Sequence, residues 1–201
     1  MYKAMALVLC AILLVAGSVM GTLAYLQAQT ATIPNVMTVG KVDITLSESV
    51  VNIYGKKTTG EIVATTSGVA GGPNSYKLVP NGEYVKDPKV NVLANSEACY
   101  LFVKVENGIA AIEDSTNTIA SQIVANGWTL LKENIYYRAV DATTAAAGQS
   151  YPVFGTFKVS SAVDATVLAG YASKTIDITA YAVQAEGFGS ATDAWAATFG
   201  A

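Results

Sequence analysis

Oxygen-rich loops and one thiol are the parts of this sequence that could do chemistry. Glu113 and Asp114, followed by Ser115 and Asn117, supply oxygen atoms of the kind that bind Ca²⁺. Their spacing does not match an EF-hand, in which ligands recur at alternate positions around a central glycine. A solvated loop is the competing interpretation, and the spacing favours it. We therefore predict no metal site.

Nucleophilic catalysis is disfavoured because the chain contains no histidine. Cys99 has no imidazole base to activate its thiol, and serine–histidine triads and histidine-ligated zinc are excluded for the same reason. The apolar strand around Cys99 favours a buried, small hydrophobic residue. Cys10 lies in the apolar N-terminal segment, so no disulfide framework is expected. We predict no catalytic residue, no cofactor and no enzymatic activity.

The remaining polar residues show no pairing that their spacing makes evident. Asp87 precedes a proline and is expected to accept hydrogen bonds in a turn. Residues 136–138, Tyr-Tyr-Arg, offer an aromatic and cationic surface, although alternating core and surface packing in a strand is favoured over sugar binding. The glycine-flanked segment 55–60 lacks the spacing of a phosphate-binding loop. Four further acids are scattered along the chain: Asp141, Asp164, Glu186 and Asp193.

The charge of the chain limits its partners. Its 201 residues include 12 basic and 15 acidic side chains, a net charge of −3. Without a leader that contains Lys3, 11 basic and 15 acidic residues remain, a net charge of −4. Nucleic acid and anionic lipid both attract basic surfaces, so neither is an expected partner.

The N-terminal segment has the pattern of an export signal. Lys3 provides a short positive region, and residues 4–19 form an apolar core that is short for a membrane span. The small residues Thr22 and Ala24 then predict cleavage after Ala24, which leaves Tyr25 as the new N-terminus. The alternative is an uncleaved leader, which would be the only predicted membrane contact.

Alternating hydrophobicity predicts strands in most of the remaining chain. The strongest is 98–106, in which Cys99 and Leu101 share the core face. Tyr100 and Phe102 point the other way and are expected to be covered by a neighbour or loop. Residues 68–74 and 142–150 are predicted loops, and a hairpin turn is predicted across 55–60. Further strands are predicted at 39–46, 50–54, 61–66, 76–79, 89–93, 128–131, 135–140, 153–160 and 174–184, with short helices at 118–125 and 191–199.

Roughly ten short strands separated by turns predict an antiparallel β-sandwich. The fold class is therefore all-β, with one or two short helices and a preceding signal helix. The predicted organisation is a signal peptide at 1–24, an N-terminal arm at 25–38 and the sandwich domain at 39–201.

Several blocks of the sequence resemble one group of bacterial proteins. The blocks are GTLAYL, TVGKVDITL, LVPNGEYVKDPKVNV, ACYLFVKVEN and ITAYAVQAEGF. They resemble proteins exported through a SipW-type signal peptidase, including the TasA-like and camelysin-like matrix proteins. The resemblance implies a secreted sandwich of jelly-roll type that builds fibres or biofilm matrix at the cell surface. Camelysin-like relatives carry a metalloprotease label, which we do not carry over because histidine is absent.

The arm at 25–38, YLQAQTATIPNVMT, has no charged side chain. Leu26, Ile33, Val36 and Met37 are spaced among polar residues, and Pro34 blocks a helix. Such a segment cannot bury itself, yet it is too apolar for a solvated tail. An open sheet edge is its natural partner.

The sequence is compatible with a flexible arm and with two docked placements. Docked on its own domain, the arm would be a first strand. Donated to the next copy, it would link copies head to tail, and repetition of that contact gives an open filament. The resemblance favours donation, with other matrix proteins as further partners. The alternative function is a monomeric secreted binding module, such as an adhesin for a glycan or a host surface.

Overall fold

The computed structural model describes residues 1–25, 40–65 and 67–200, and the side chains of the N-terminal helix for residues 1–14. The chain divides into two compact units, Met1–Thr38 and Val39–Ala201. The first contains helix α1 (Tyr2–Tyr25), whose described large apolar side chains are exposed. Within the described part of the chain, no helix is long and apolar enough to cross a membrane.

The predicted cleavage site and arm fall at or beyond the end of α1. Thr22, Ala24 and Tyr25 belong to its last turns, and their side chains are outside the described set. The four apolar arm residues also lie outside the described residues: Leu26, Ile33, Val36 and Met37.

The second unit is all-β, as predicted. Its described residues form eleven strands in three antiparallel sheets, with four short α-helices and a 3-10 helix at Ala110–Ile112. The strands are β1 (Ile44–Val51), β2 (Lys57–Thr65), β3 (Gly68–Ala70), β4 (Glu83–Val85), β5 (Lys89–Val92), β6 (Cys99–Asn107), β7 (Thr129–Lys132), β8 (Ile135–Val140), β9 (Gln149–Pro152), β10 (Thr156–Lys158) and β11 (Ile176–Gln184). The helices are α2 (Ile119–Ala125), α3 (Ala142–Ala147), α4 (Ala165–Ala169) and α5 (Ala191–Phe199).

Two large sheets share one core. The first has the order β3-β2-β1-β5-β9, the second has the order β11-β6-β8-β7, and β4 pairs with β10. Val90 of the first sheet and Leu101 of the second are fully buried in the same cluster. β1 lies against β11, the edge strand of the second sheet. The alternation predicted for β6 and β11 is confirmed, because their apolar faces belong to this core.

Helix α5 covers the outer face of the second sheet. Its Trp195 packs against Phe102 with ring centroids 5.0 Å apart, and against Tyr181 at 5.6 Å. Phe102 is completely buried as a result. The cover expected over the outward aromatic residues of β6 is therefore confirmed, and the covering element is α5.

The first hairpin turns earlier than predicted. The prediction placed the turn at 55–60, but it follows β1 directly. Asn52 produces the early turn because its Oδ1 accepts hydrogen bonds from the backbone N–H groups of Tyr54 and Lys56, both at 3.0 Å. Gly55 completes the turn with a φ of +70°, a conformation that favours glycine.

Other predicted boundaries in the first half are also wrong. The strands predicted at 39–46 and 50–54 contribute only residues 44–46 and 50–51, and both parts belong to one strand, β1. The segment 76–79 joins no ladder among the described residues, and the Tyr84 hydroxyl instead holds two of its backbone groups at 2.8 Å. The predicted loop at 68–74 begins with β3.

The sequence pattern does not predict two of the short helices. Each begins at a capping aspartate and has little apolar periodicity. The predicted loop at 142–150 contains α3, whose Thr144 N–H donates to Asp141 Oδ1 at 2.9 Å. Asp164 caps the unpredicted α4 in the same way. The strand predicted at 153–160 is reduced to β10.

Candidate functional site

A groove runs beside the edge of the second sheet. Its wider part is a cavity of about 1010 Å³, which opens where β11 begins. A narrower part of about 250 Å³ continues along β11 as far as Ile178. Segment 73–78 and the residues between α4 and β11 form its sides. We call it the β11 groove and define it by its principal wall residues: Leu46, Glu48, Ile62, Val69, Ile176 and Ile178.

The outer edge of β11 presents backbone groups to this groove. Thr175 accepts a hydrogen bond from the N–H of Gly108 at 2.9 Å, and the N–H of Ala185 donates to Ala98 at 2.8 Å. The register between β6 and β11 is continuous between these bonds. Odd-numbered residues of β11 therefore bond to β6, and even-numbered residues direct their N–H and C=O groups outward.

The side chains of the same even-numbered residues line the core face. Ile176, Ile178, Ala180 and Ala182 are only partly buried, although they pack on the core cluster. Among the described residues, no strand pairs with the outer edge of β11. An unpaired edge beside incompletely covered apolar side chains is the geometry that accepts an added strand.

The chain joins the domain at the far end of this edge. Gly40 lies against the side chains of Glu97 and Gln184, and a Cβ at Gly40 would approach Glu97 Cγ to 2.9 Å. The carbonyl of Lys41 accepts from the N–H of Glu97 at 2.9 Å. Gly40 therefore lies beside the last residue of β11, whereas the cavity opens beside its first.

The floor of the β11 groove carries a buried ion pair. Lys86 Nζ donates to Glu48 Oε2 at 2.8 Å, and the two side chains are 10% and 15% exposed. Asn74 Nδ2 donates to the other oxygen of Glu48 at 2.9 Å. Burial raises the pKa of the neighbouring Tyr76, and the negative charge of Glu48 adds to this effect. The pair therefore cancels its own charge.

The sequence pattern does not predict this cluster of Glu48, Lys86 and Asn74. A signal was present, because Glu48 occupies a position on the core face of β1, two residues after Leu46. A charged residue at an inward position requires a partner, here Lys86. The partner could not be identified because Lys86 is distant in sequence and belongs to no predicted strand.

Asp87 accepts hydrogen bonds as predicted, but from neighbouring strands. Ser49 donates from its N–H and its hydroxyl, both at 2.9 Å, and Lys57 Nζ donates at 2.6 Å. Burial alone would raise the pKa of Asp87, but the bonds from Lys57 and Ser49 outweigh it and lower the pKa below its usual value. Asp87 therefore fastens β1 to β2 on the outer face of the first sheet.

The oxygen-rich loop is engaged in local hydrogen bonds. Hydrogen bonds from Thr116, together with Lys158 Nζ at 3.0 Å, lower the pKa of Asp114 to about 2. Burial raises the pKa of Glu113, which accepts from the backbone of Ile119 and from Asn107. No cluster of potential metal ligands occurs in the described part of the chain.

The other candidate residues are buried or make contacts that stabilise the fold. Cys99 is buried, and burial raises the pKa of its thiol to about 11, which disfavours the nucleophilic thiolate. Arg138 lies over the ring of Tyr151 at 4.6 Å and donates to the carbonyl of Asn126 at 2.8 Å. Asp193 accepts from the Ser190 hydroxyl at the start of α5.

Comparisons with protein-family models, curated proteins and solved structures find no match to this chain.

Proposed function

We propose that this is a secreted structural protein whose copies assemble into surface fibres or biofilm matrix. In this proposal, residues 25–38 of one copy enter the β11 groove of the next and pair with the outer edge of β11. The outer edge of β11 is the observation that supports this proposal. Its outward N–H and C=O groups pair with no strand among the described residues.

The chemistry of the arm matches that of the groove. The arm has no charged side chain, and the groove floor carries a self-neutralised ion pair between apolar walls. A charged arm would introduce an unpaired charge there, which is costly. Backbone hydrogen bonds to β11 would supply affinity, and contacts of Leu26, Ile33, Val36 and Met37 with the apolar walls would set the register.

The remaining parts of the proposal follow the resemblance. The sandwich is of jelly-roll type, and a SipW-type signal peptidase releases Tyr25 as the N-terminus after Ala24. The protein has no enzymatic turnover and uses no cofactor. Its partners are further copies of itself and other matrix proteins.

Deletion of residues 25–35 tests donation directly. We expect the shortened chain to fold and to remain monomeric at concentrations where the full mature chain forms fibres. Electron microscopy and sedimentation measure the difference, and circular dichroism verifies the fold. Fibres of unchanged abundance from the shortened chain would contradict the proposal.

A proline in β11 tests the acceptor edge. The N–H of Ala180 points outward, so Ala180→Pro removes a group that only an added strand would use, at a position where sheets tolerate proline. We expect the concentration needed for fibres to rise about tenfold or more. Ala180→Val keeps the N–H and is the matched control. Equal assembly of the two variants would exclude this edge as the acceptor.

The alternative function, a monomeric binding module, also has an observation in its favour. A cavity of about 1010 Å³ is large enough to hold a small ligand, such as part of a glycan. Assembly distinguishes the two functions, because a binding module stays monomeric as its concentration rises. Sedimentation of the mature chain over a concentration series measures this.

A further inference from the structure

One polar cluster in the domain places an amine and an amide on the same carboxylate. Lys86 Nζ contacts Glu48 Oε2 at 2.8 Å, and Asn74 Nδ2 contacts Glu48 Oε1 at 2.9 Å. Glu48 and Lys86 are 15% and 10% exposed. A structural ion pair requires only the two charges, whereas the amide of Asn74 adds a group that can react with the amine.

The carbonyl of this amide is also polarised. Asn74 Oδ1 accepts a hydrogen bond from the backbone N–H of Val51 at 2.9 Å. A donor at this position stabilises negative charge that develops on the oxygen when a nucleophile attacks the carbon. The low exposure of the Glu48 and Lys86 side chains limits their direct contact with water.

We propose that Lys86 and Asn74 join spontaneously in an intramolecular amide bond, with Glu48 as the catalytic acid and base. The arrangement holds the nucleophile, the electrophile and the proton carrier together, so the reaction needs no other molecule. It occurs once in each folded chain and alters the floor of the β11 groove, because the joined Lys86 no longer carries the charge that balances Glu48.

Proton transfers through Glu48 balance the reaction. The ammonium of Lys86 gives a proton to the Glu48 carboxylate, and the free Nζ lone pair attacks Cγ of Asn74. The resulting oxyanion is held by the N–H of Val51. Glu48 then protonates Nδ2, the Cγ–Nδ2 bond breaks and ammonia leaves, and the surplus proton of Nζ passes through the Glu48 carboxylate to that ammonia. The products are one Cγ–Nζ amide and one ammonium ion, without oxidation or reduction.

A second lysine–carboxylate cluster provides an internal comparison. Lys57 contacts Asp87 at 2.6 Å, and the other donor to Asp87 is the backbone and hydroxyl of Ser49. This cluster contains no side-chain amide, so it has no electrophile for the lysine. It is expected to stay an ion pair.

Intact mass spectrometry of the purified full chain tests the proposal. The expected mass is below that of the sequence by one ammonia, about 17 Da. Trypsin should not cut at Lys86, and fragment spectra should show the peptide containing Asn74 joined to the one containing Lys86. The unmodified sequence mass in a folded chain, or an ammonia loss that maps elsewhere, would overturn the proposal.

Substitutions separate the catalyst from the reacting groups. Asn74→Ala and Lys86→Arg should both restore the full sequence mass. Glu48→Gln keeps the shape of the side chain but removes the proton carrier, and the mass loss should disappear while circular dichroism is unchanged. Lys57→Arg is the matched control and should retain the loss. Bond formation at an equal rate in Glu48→Gln would exclude catalysis by Glu48.

Discussion

The two flanks of the second sheet are completed in different ways. On the outer face, α5 brings Trp195 onto Phe102 and buries the aromatic residues of β6. Along the β11 edge, apolar residues are only partly covered, and the nearby fastening is the ion pair between Glu48 and Lys86. The chain closes one flank with its own apolar helix and leaves the other accessible.

This difference indicates which flank stabilises the monomer and which is available to another segment. Apolar burial under α5 contributes stability that is insensitive to pH. Charge-assisted hydrogen bonds near the groove hold strands in fixed positions without filling the space beside them. The open flank can therefore keep its shape before an arm arrives.

The largest expected effect comes from breaking the covered flank. Trp195→Ala removes a side chain that is 8% exposed and contacts three aromatic rings. We expect a loss of about 3–5 kcal/mol in the free energy of unfolding, as for other buried tryptophans. Urea denaturation measures it, and a loss below about 1 kcal/mol would show that α5 is not an integral cover.

A smaller, pH-dependent effect is expected on the outer face of the first sheet, where Asp87 fastens β1 to β2. Because the folded state lowers the pKa of Asp87, this carboxylate stabilises the fold above its usual value of 3.8, and the stabilisation is lost as the pH falls through the lower, folded pKa. Asp87→Asn should cost about 1.5–3 kcal/mol at pH 7; this cost should begin to fall below pH 3.8 and become small only below the folded pKa.

Urea denaturation at several pH values measures this dependence. Asp43→Asn is the control, because Asp43 pairs with Lys41 at an exposed position, where ion pairs contribute little. Equal destabilisation by Asp87→Asn at pH 7 and pH 3 would argue against a charge-dependent fastening.

The smallest expected effect concerns the contact between Lys132 and the Trp195 ring on the covered flank. Lys132 Nζ lies 5.9 Å from the centre of the Trp195 ring. Lys132→Gln should lower the free energy of unfolding by about 0.5–1 kcal/mol, the range for a cation over an aromatic face. Lys41→Gln serves as the control, and identical denaturation curves for both variants would show that the charge contributes nothing.

The sequence predicts what depends on local alternation. The faces of β6 and β11, the helix at α2 and the need for a cover over Phe102 all follow from the spacing of apolar residues. Turns and helix starts that depend on the hydrogen bonds of one side chain are not evident from apolar spacing. The hydrogen bonds of Asn52 place the first hairpin turn earlier than predicted. Asp141 and Asp164 begin helices that have little apolar periodicity.

The groove could not be predicted because it depends on strand order. No local pattern shows that β11 is an edge, or that β1 lies against it. Glu48 gave a partial signal, since a carboxylate on an inward face requires a partner. Its partners, Asn74 and Lys86, lie in segments that the sequence describes only as loop or turn.

The position of Gly40 has a consequence for growth. Gly40 lies beside Gln184, and the cavity opens beside Ile176, about 30 Å away along a nine-residue strand. In a chain of copies joined by donation, one terminus would expose a vacant slot and the other an unused tail. The polymer would therefore be polar, and a molecule that offers a tail but lacks a slot would arrest elongation at one terminus.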